Sequence, residues 1–501
     1  MRTTLAKQLN ESSQCNMACE SSSSDAEIQQ PNDTNKQPNT DGKVNQPAIW
    51  PQVAGTAAGA MAQLGVGIVG GFSGVMLPQL TDVDSQDLFL DEHQVALFSS
   101  LVFLGSAVGC LVWTLPMVWL GQRWSMLIHL PVFLAAWLTL AFAPSVWILQ
   151  TSRFFLGVSA GVIEAASYSY VTELAHSRVR GRLVGTADTV RQLGVLIVYS
   201  LGSTSLSWRH AALVCGCVTT VPVCIGLLLL PNSPRWLATR GRLDECRKSL
   251  SFFRGAQYDC ASEMEAVVSQ TKEEDRDEAA FLQQVQRMSE PRTLRIIALL
   301  AFLMFSVQFT GNIVVISYVV PIFNAAKVNI SSYMSAIVIA SVRIVGTVFS
   351  LMVVDRVGRR PALVIAFLLC SGSLFLLGTF FYLQKGGVDM ENVSWFPVLT
   401  MVVYTFVTCV GHPVLNLVRG ELLPTAVRNA ANSFLFFIFF FGMFLVSHSY
   451  PATASALGEE GAFWVYGGVC LVIVAVVVFS IPETRGKVLE HIEQERQETK
   501  I

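Results

Sequence analysis

Charged residues are scarce in this chain: Asp, Glu, Lys and Arg make up 14% of its 501 residues. The 34 basic side chains are offset by 36 acidic ones, leaving a formal charge of −2. That balance provides no basic surface for nucleic acid and excludes a nucleic-acid binder. A disulfide framework is missing as well. Of the eleven cysteines, Cys110, Cys215, Cys217, Cys224, Cys370, Cys409 and Cys470 lie in apolar runs, and Cys15, Cys19, Cys246 and Cys260 in polar stretches. None falls in a segment that the charge pattern assigns to the outer face, where oxidation would pair them. Cys215-Gly-Cys217 has no histidine or second cysteine pair nearby, so it reads as small residues packing helices, and no metal or cofactor is expected. Residues 1–47 carry few large apolar side chains and are rich in Ser, Gln, Asn, Asp and Pro. Such a segment cannot offset its ordering entropy and is expected to be disordered. It has no apolar core of the signal-peptide kind, which leaves targeting to the first apolar span.

What the chain does have is hydrocarbon. Hydrophobic residues make up 52%, Phe alone accounts for 31 positions, and the mean hydropathy is +0.50. That is roughly 250 apolar residues, enough for around twelve spans of ~20 each and little else. A soluble enzyme and a fibrous protein are both disfavoured; the composition is that of an all-α polytopic membrane protein. Apolar stretches of spanning length occur near 53–77, 94–115, 126–143, 146–170, 184–204 and 209–230. A charged segment, 231–293, separates them from six more, near 294–320, 333–354, 361–383, 396–418, 430–450 and 462–481. The expected organisation is a tail (1–50), a six-helix bundle (51–230), a middle loop with short helices (231–293), a second six-helix bundle (294–482) and a second tail (483–501).

Orientation follows from the basic residues. Segments after even-numbered spans hold Arg123, Arg178, Arg180, Arg182, Arg356, Arg359, Arg360 and Arg428, and the middle loop adds Arg235, Arg240, Arg242, Arg247 and Lys248. The segment after the first span holds Asp82, Asp84, Asp87, Asp91 and Glu92, with no Lys or Arg. Both termini and the middle loop are therefore expected to be cytoplasmic. Glycosylation sequons at Asn329 and Asn392 fall in the opposite loops; those at Asn10 and Asn32 lie in the cytoplasmic tail and are accidental.

The halves repeat one another. Glu173 and Arg180 flank a short loop at a spacing of seven, as do Glu421 and Arg428. Asp355-Arg-Val-Gly-Arg-Arg360 closes a hairpin in the second half, and a worn version ends Gly121-Gln-Arg123 in the first. Pro231-Asn-Ser-Pro-Arg235 follows span six; Pro482-Glu-Thr-Arg-Gly486 follows span twelve. Two related bundles around a midplane cavity are the build of an alternating-access carrier. One competing motif, Gly65-x-Gly67-x-x-Gly70, fits a dinucleotide-binding pattern, but it lies inside a spanning run rather than between a strand and a helix.

These motifs resemble the sugar-porter branch of the major facilitator superfamily over nearly the whole span region. The residues that carry the resemblance are Asp355-Arg356-x-Gly358-Arg359-Arg360, Tyr170-x-x-Glu173 with Arg180-Gly181, Pro231-x-Ser-Pro-Arg-Trp-Leu237 with Gly241-Arg242, and Pro482-Glu-Thr-Arg-Gly-Lys487. Gly461-Ala-Phe-Trp464 and the pattern of span five look closest to insect trehalose and glucose transporter-like members. The resemblance implies twelve helices in two pseudo-symmetric bundles and a facilitative, ATP-independent carrier of glucose- or trehalose-like sugars in the plasma membrane. A monomer is the default oligomeric state. It also implies that Glu173, Arg180, Asp355, Arg359, Arg360, Glu421 and Arg428 gate the inner mouth, pairing when it shuts and parting when it opens. The alternative is that they only anchor helix ends, and for Arg178 and Arg182 that reading is preferred.

The expected sugar site departs from the family's pattern. Span seven reads Val307-Gln308-Phe-Thr-Gly311-Asn312, with one glutamine lost and the asparagine one place early. Asn416 and Thr408 replace a tryptophan and an acid in span ten, Phe439-Phe440 an Asn-Trp pair in span eleven, and Val118-Trp119 the acid of the first-half loop. Ser73 stands where proton-coupled members carry an acid, which argues against coupling by that route. The cavity is expected to be lined by Gln308, Asn312, Tyr318, Thr408 and Asn416, with Asp188 nearby. Unusual intramembrane charges are added: Glu164, three turns from Arg153; Asp188 and Arg191, a three-apart pair; and Arg343, with His412 in span ten. Arg153 matches a family arginine and reads as structural. These gains keep open a carrier for an organic ion, and the Asn/Ser-rich tail with the worn first-half motif keeps open a transport-dead sensor that signals through its tail or middle loop.

Overall fold

The computed structural model describes residues 48–82, 87–176, 178–255, 258–278, 286–423 and 427–481. Of the expected tails, 1–50 and 483–501, residues 1–47 and 483–501 lie outside the described residues, and so does the motif that begins at Pro482. Asp355 and Arg428 lie in helices, but their side chains are also outside that set.

Six long helices form the first half: α1 (Trp50–Leu80), α2 (Glu92–Leu120), α3 (Gln122–Ala141), α4 (Val146–Leu174), α5 (Arg180–Gly202) and α6 (Trp208–Leu229). Three short ones follow on one face: α7 (Pro234–Thr239), α8 (Leu243–Arg254) and α9 (Ala261–Glu278). The second half comprises α10 (Pro291–Ser306), α11 (Asn312–Ser317), α12 (Val319–Ala325), α13 (Ser332–Val357), α14 (Arg359–Lys385), α15 (Phe396–Leu422) and α16 (Arg428–Ser480). Ten described helices are long and apolar enough to cross a membrane. One of them, α16, is two spans joined across Gly458 (φ 77°), and α5, 23 residues long and more polar than the ten, lies alongside α1 and α13 as a further span, which makes twelve among the described residues. Most helices extend a turn or so beyond the apolar runs, because the flanking polar residues continue the backbone ladder into the interface.

Two spans differ from the sequence expectation. The seventh is not one continuous helix over 294–320. After Ser306 the chain tightens to a 3-10 turn, Val307–Thr310, and Gly311 takes a left-handed φ of 88° before α11 begins. The positive φ requires glycine, and Tyr466 adds to the requirement, since a Cβ there would lie 2.9 Å from its ring. Freed backbone groups at that depth need protein partners, and the Tyr404 hydroxyl supplies one by donating to the Thr310 carbonyl at 2.8 Å. The eleventh and twelfth spans, expected to be separated by a loop over 451–461, run into each other with a single non-helical residue.

Within the first half α1 packs on α4, α5 and α6, and α4 on α2 and α3; within the second, α14 packs on α15 and α16, and α13 on α15. The halves meet where α2 lies along α16, α5 along α13, and α1 against α11 and α12. Very small residues make the closest approaches possible, because lipid provides no hydrophobic drive between helices and backbone contact must substitute. At Gly67 a Cβ would stand 2.0 Å from the Arg191 carbonyl oxygen of α5, whereas at Gly70 nothing lies within 4 Å. The Gly65-x-Gly67-x-x-Gly70 run is thus helix packing inside α1. Arg153 is wholly buried: Nε donates to the Phe98 carbonyl (3.1 Å), Nη1 to that of Val69 (3.3 Å), and the guanidinium sits 4.8 Å over the Phe98 ring. It binds α4 to α1 and α2 and does not meet Glu164.

The face away from α7–α9 is tied by Arg209, whose Nη2 and Nε reach the two oxygens of Asp87 at 2.6 and 2.8 Å while Nη1 donates to the carbonyls of Ala141 (2.9 Å) and Ala143 (3.0 Å). Hydrogen bonding to Arg209 holds the Asp87 carboxyl below its ordinary 3.8. A depressed carboxyl stabilises the fold above its unfolded value and loses that contribution as pH falls through the folded one. Asp87→Asn should therefore lower the melting temperature of purified protein slightly at pH 7, and the gap to wild type should close below about pH 3.8. Gly67→Ala should largely abolish monodisperse protein on size-exclusion chromatography, while Gly70→Ala should leave the elution profile unchanged.

Candidate functional site

Midway through the first half, α4 and α5 bring four polar side chains together. Arg191 Nη2 lies 3.2 Å from Asp188 Oδ1, and its Nη1 lies 3.5 Å from Glu164 Oε1. The Tyr168 hydroxyl donates to the same Asp188 oxygen. The i,i+3 pair in α5 follows from helix geometry. Glu164 joins because α4 presents it, one turn from Tyr168, to the same groove. The side chains of Arg191, Asp188 and Glu164 retain 33%, 30% and 14% exposure despite their mid-span positions, which places them on the wall of an open space.

The second half answers with α13, α15 and the broken seventh span. Arg343 of α13 reaches across the junction: Nε donates to Gln192 Oε1 of α5 at 2.9 Å and Nη1 to Asn312 Oδ1 at 3.0 Å. His412 Nδ1 approaches Asn312 Nδ2 at 3.5 Å. Gln308 is buried beside Gly442, its Nε2 donating to the Met304 carbonyl (3.0 Å) and its Oε1 without a hydrogen bond among the described residues. Asn416 is exposed one turn along α15 from His412, toward the α7–α9 side. Two expected lining residues are turned elsewhere. Thr408 donates back to the Tyr404 carbonyl (2.7 Å) and lies 3.4 Å from the Cys370 sulfur of α14. Tyr318 is buried, donating to the Ser447 carbonyl at 2.9 Å with its ring 4.9 Å from that of Tyr450. Asp188 and Asn312 lie close to the junction of the halves, through Arg191 and Arg343, whereas Gln308 is buried within the second half; Thr408 and Tyr318 tie helices to one another.

Toward the face opposite α7–α9 the halves are closed on each other. The Tyr199 hydroxyl of α5 donates to the Ile316 carbonyl of α11 at 2.8 Å, and Gly74 of α1 lies so near that carbonyl that a Cβ would be 2.3 Å away. On this face Asn329 is exposed in a loop and Asn392 in the short 3-10 turn Glu391–Val393.

On the α7–α9 face the repeated motifs show what the sequence pairs do. Gly121 (φ 80°, ψ 164°) and Gly358 (φ 88°, ψ 152°) turn the chain alike between α2 and α3 and between α13 and α14. The next residue in each half binds a carboxylate: Gln122 Nε2 donates to Glu173 Oε1 at 2.7 Å, and Arg359 Nη2 lies 3.2 Å from Glu421 Oε1. The one after that caps a helix end: Arg123 Nε donates to the Leu227 carbonyl of α6 at 2.7 Å, and Arg360 to the Val478 carbonyl of α16. The worn first-half motif is thus geometrically intact, with a neutral amide in place of a cation. Sequence reasoning missed Gln122, although aligning the two glycines would have found it; Gln192 and Tyr168 carried no such signal. Glu173 also accepts from Ser233, which caps α7. Arg254 pairs with Glu263 (2.6 Å) and donates to the Leu174 carbonyl (2.7 Å), fastening α8 and α9 under α4. Arg180 is exposed and forms no ion pair among the described residues.

Comparison with known proteins follows the same outline. A family description, sugar (and other) transporter, matches residues 31–495. The facilitated trehalose transporter Tret1 of Polypedilum vanderplanki is 30% identical over 89% of this chain and 88% of its own length. That of Drosophila virilis is 28% identical over 89% of this chain, which spans 49% of that longer protein. Among solved structures, the xylose transporter XylE of E. coli in a partially occluded inward-open conformation superposes with a TM-score of 0.71 at 20% identity, covering 87% of this chain and 99% of that one. The same protein, described as a proton:xylose symporter and bound to 6-bromo-6-deoxy-D-glucose, gives 0.70 at 21% identity over 89% and 100%. Two six-helix halves, paired hinges and a match that runs through both of them place this chain in the sugar (and other) transporter family, within the sugar-porter branch of the major facilitator superfamily.

Proposed function

We propose that this protein is a facilitative carrier that moves a sugar of the glucose or trehalose kind across the plasma membrane by alternating access, with both termini and α7–α9 in the cytoplasm. The observation that carries the reading is a polar site bridged from both halves, its Arg191, Asp188 and Glu164 side chains partly exposed, with the halves joined on one side of it by Tyr199–Ile316. Amides, a hydroxyl-bearing aromatic and paired charges around such a space suit a solute rich in hydroxyls. The relatives named as facilitated trehalose transporters support the solute class. The excess of Arg on the α7–α9 face supports the orientation, and a glycosidase-sensitive mobility shift at Asn329 or Asn392 reads it directly.

In the cycle, the solute enters while one mouth is open, and rocking of the halves along the α2–α16 and α5–α13 contacts closes that mouth and opens the other. Glu173 and Glu421 hold the helix ends that must move together, so each half turns as a unit. With Ser73 buried beside Arg153, the first span offers no titrating acid to tie the cycle to a proton.

Purified protein in liposomes should exchange labelled trehalose or glucose for the unlabelled sugar, saturably and without dependence on a pH gradient; absence of counterflow for both sugars would end the sugar reading. Arg359→Ala should slow counterflow several-fold through loss of the hinge pair. Arg359→Gln should retain most of the rate, because Gln122 serves the equivalent carboxylate in the first half. Equal damage from the two substitutions would show that charge, not hinge geometry, is what the pair supplies.

A further inference from the structure

Three arginines among the described residues are buried, and they differ in how their charge is answered. Arg254 has the Glu263 carboxylate, and Arg153 has two carbonyls and the faces of Phe98 and Phe72. Arg343, 6% exposed, has neither carboxylate nor carbonyl nor ring among the described residues: its hydrogen bonds there go to the neutral amides of Gln192 and Asn312, and Nη2 makes none. A guanidinium stays protonated at any relevant pH, and a buried charge without a counter-ion is strongly destabilising. The carboxylates of the same space, Asp188 and Glu164, are paired with Arg191 and form no ion pair with Arg343.

The partners of Arg343 also fix the protons around it. A guanidinium has no acceptor, so the Asn312 oxygen must face it, which turns Asn312 Nδ2 toward His412. His412 Nδ1 therefore accepts, and the ring proton of the neutral imidazole sits on Nε2. That Nε2 is buried and has no hydrogen bond among the described residues. Two donors, Arg343 Nη2–H and His412 Nε2–H, are thus left over on either side of Asn312, next to the partly exposed Arg191–Asp188 pair one turn from Gln192. Both offer protons and one carries a full charge, so their complement is an anionic oxygen pair.

We propose that Arg343 and His412 form the subsite for a carboxylate on the solute, so that the site takes an acidic sugar, of the hexuronate kind, in preference to its neutral counterpart. Arg343 is the specificity-determining residue, and the sugar ring is left to Gln308, Asp188 and Asn416. This rests on the carrier reading above but is measured separately from it, by binding rather than flux.

Equilibrium binding to purified protein at pH 7 should give glucuronate at least a tenfold lower Kd than glucuronamide, which has the same shape without the charge. In Arg343→Gln that ratio should fall below twofold with the glucuronamide Kd little changed, and His412→Gln should weaken glucuronate several-fold. Equal affinities in the wild type, or a preference that survives Arg343→Gln, would overturn the proposal; so would failure of both probes to bind. Should Arg343→Gln not fold, the wild-type ratio and His412→Gln decide the matter. Sugar counterflow with no glucuronate preference leaves the carrier standing and removes the subsite; a glucuronate preference without counterflow does the reverse.

Discussion

A charge or a bare backbone group within the bilayer has to be answered by the protein itself, since lipid tails offer neither dipole nor proton. Much of this architecture follows from where that demand is met. Arg153 meets it by consuming the Val69 and Phe98 carbonyls inside α1 and α2, which makes it a rivet. Arg191 meets it with two carboxylates and so builds a polar wall. Broken span seven meets it with hydroxyls lent by neighbouring helices, Tyr404 to Thr310 and Tyr199 to Ile316. The kinked backbone is thereby held against both halves, at the level where a solute has to pass.

The two halves solve one mechanical problem with different chemistry. Each turns on a left-handed glycine, each follows it with a side chain that grips a carboxylate, and each then caps the last turn of its sixth helix with an arginine. In the second half the grip is an ion pair; in the first it is an amide reinforced by Ser233. An amide–carboxylate bond is less sensitive to ionic strength than an ion pair at a solvated helix end. The hinge that carries α7–α9 is accordingly the one whose strength depends least on its surroundings.

Much of the fold was legible because its signals are local. Spanning length, the basic loops and the paired motifs all lie within short windows, and so does the three-apart pair Asp188–Arg191. What stayed hidden depends on which helix faces meet. Glu164 finds Arg191 rather than Arg153 because α4 turns one face to α5 and another to α1 and α2. Thr408 is turned to Cys370 because α14 packs behind α15. The break at Gly311 is one of 36 glycines in the sequence, and both its left-handed backbone and the Tyr466 ring against it, more than a hundred residues away, exist only in the folded chain. The link from Arg343 to Gln192 likewise joins residues whose proximity exists only once the halves have come together.

The junction at Gly458 has a mechanical meaning. Elsewhere on that face consecutive spans are joined by loops that let one helix lag behind the next. Between the eleventh and twelfth spans there is one non-helical residue, and Lys385 of α14 grips Glu460 at 2.5 Å just beyond it. Those spans and α14 form a braced strut, and α2 lies along it. A displacement of the second half therefore reaches α2 through continuous helix rather than through loop.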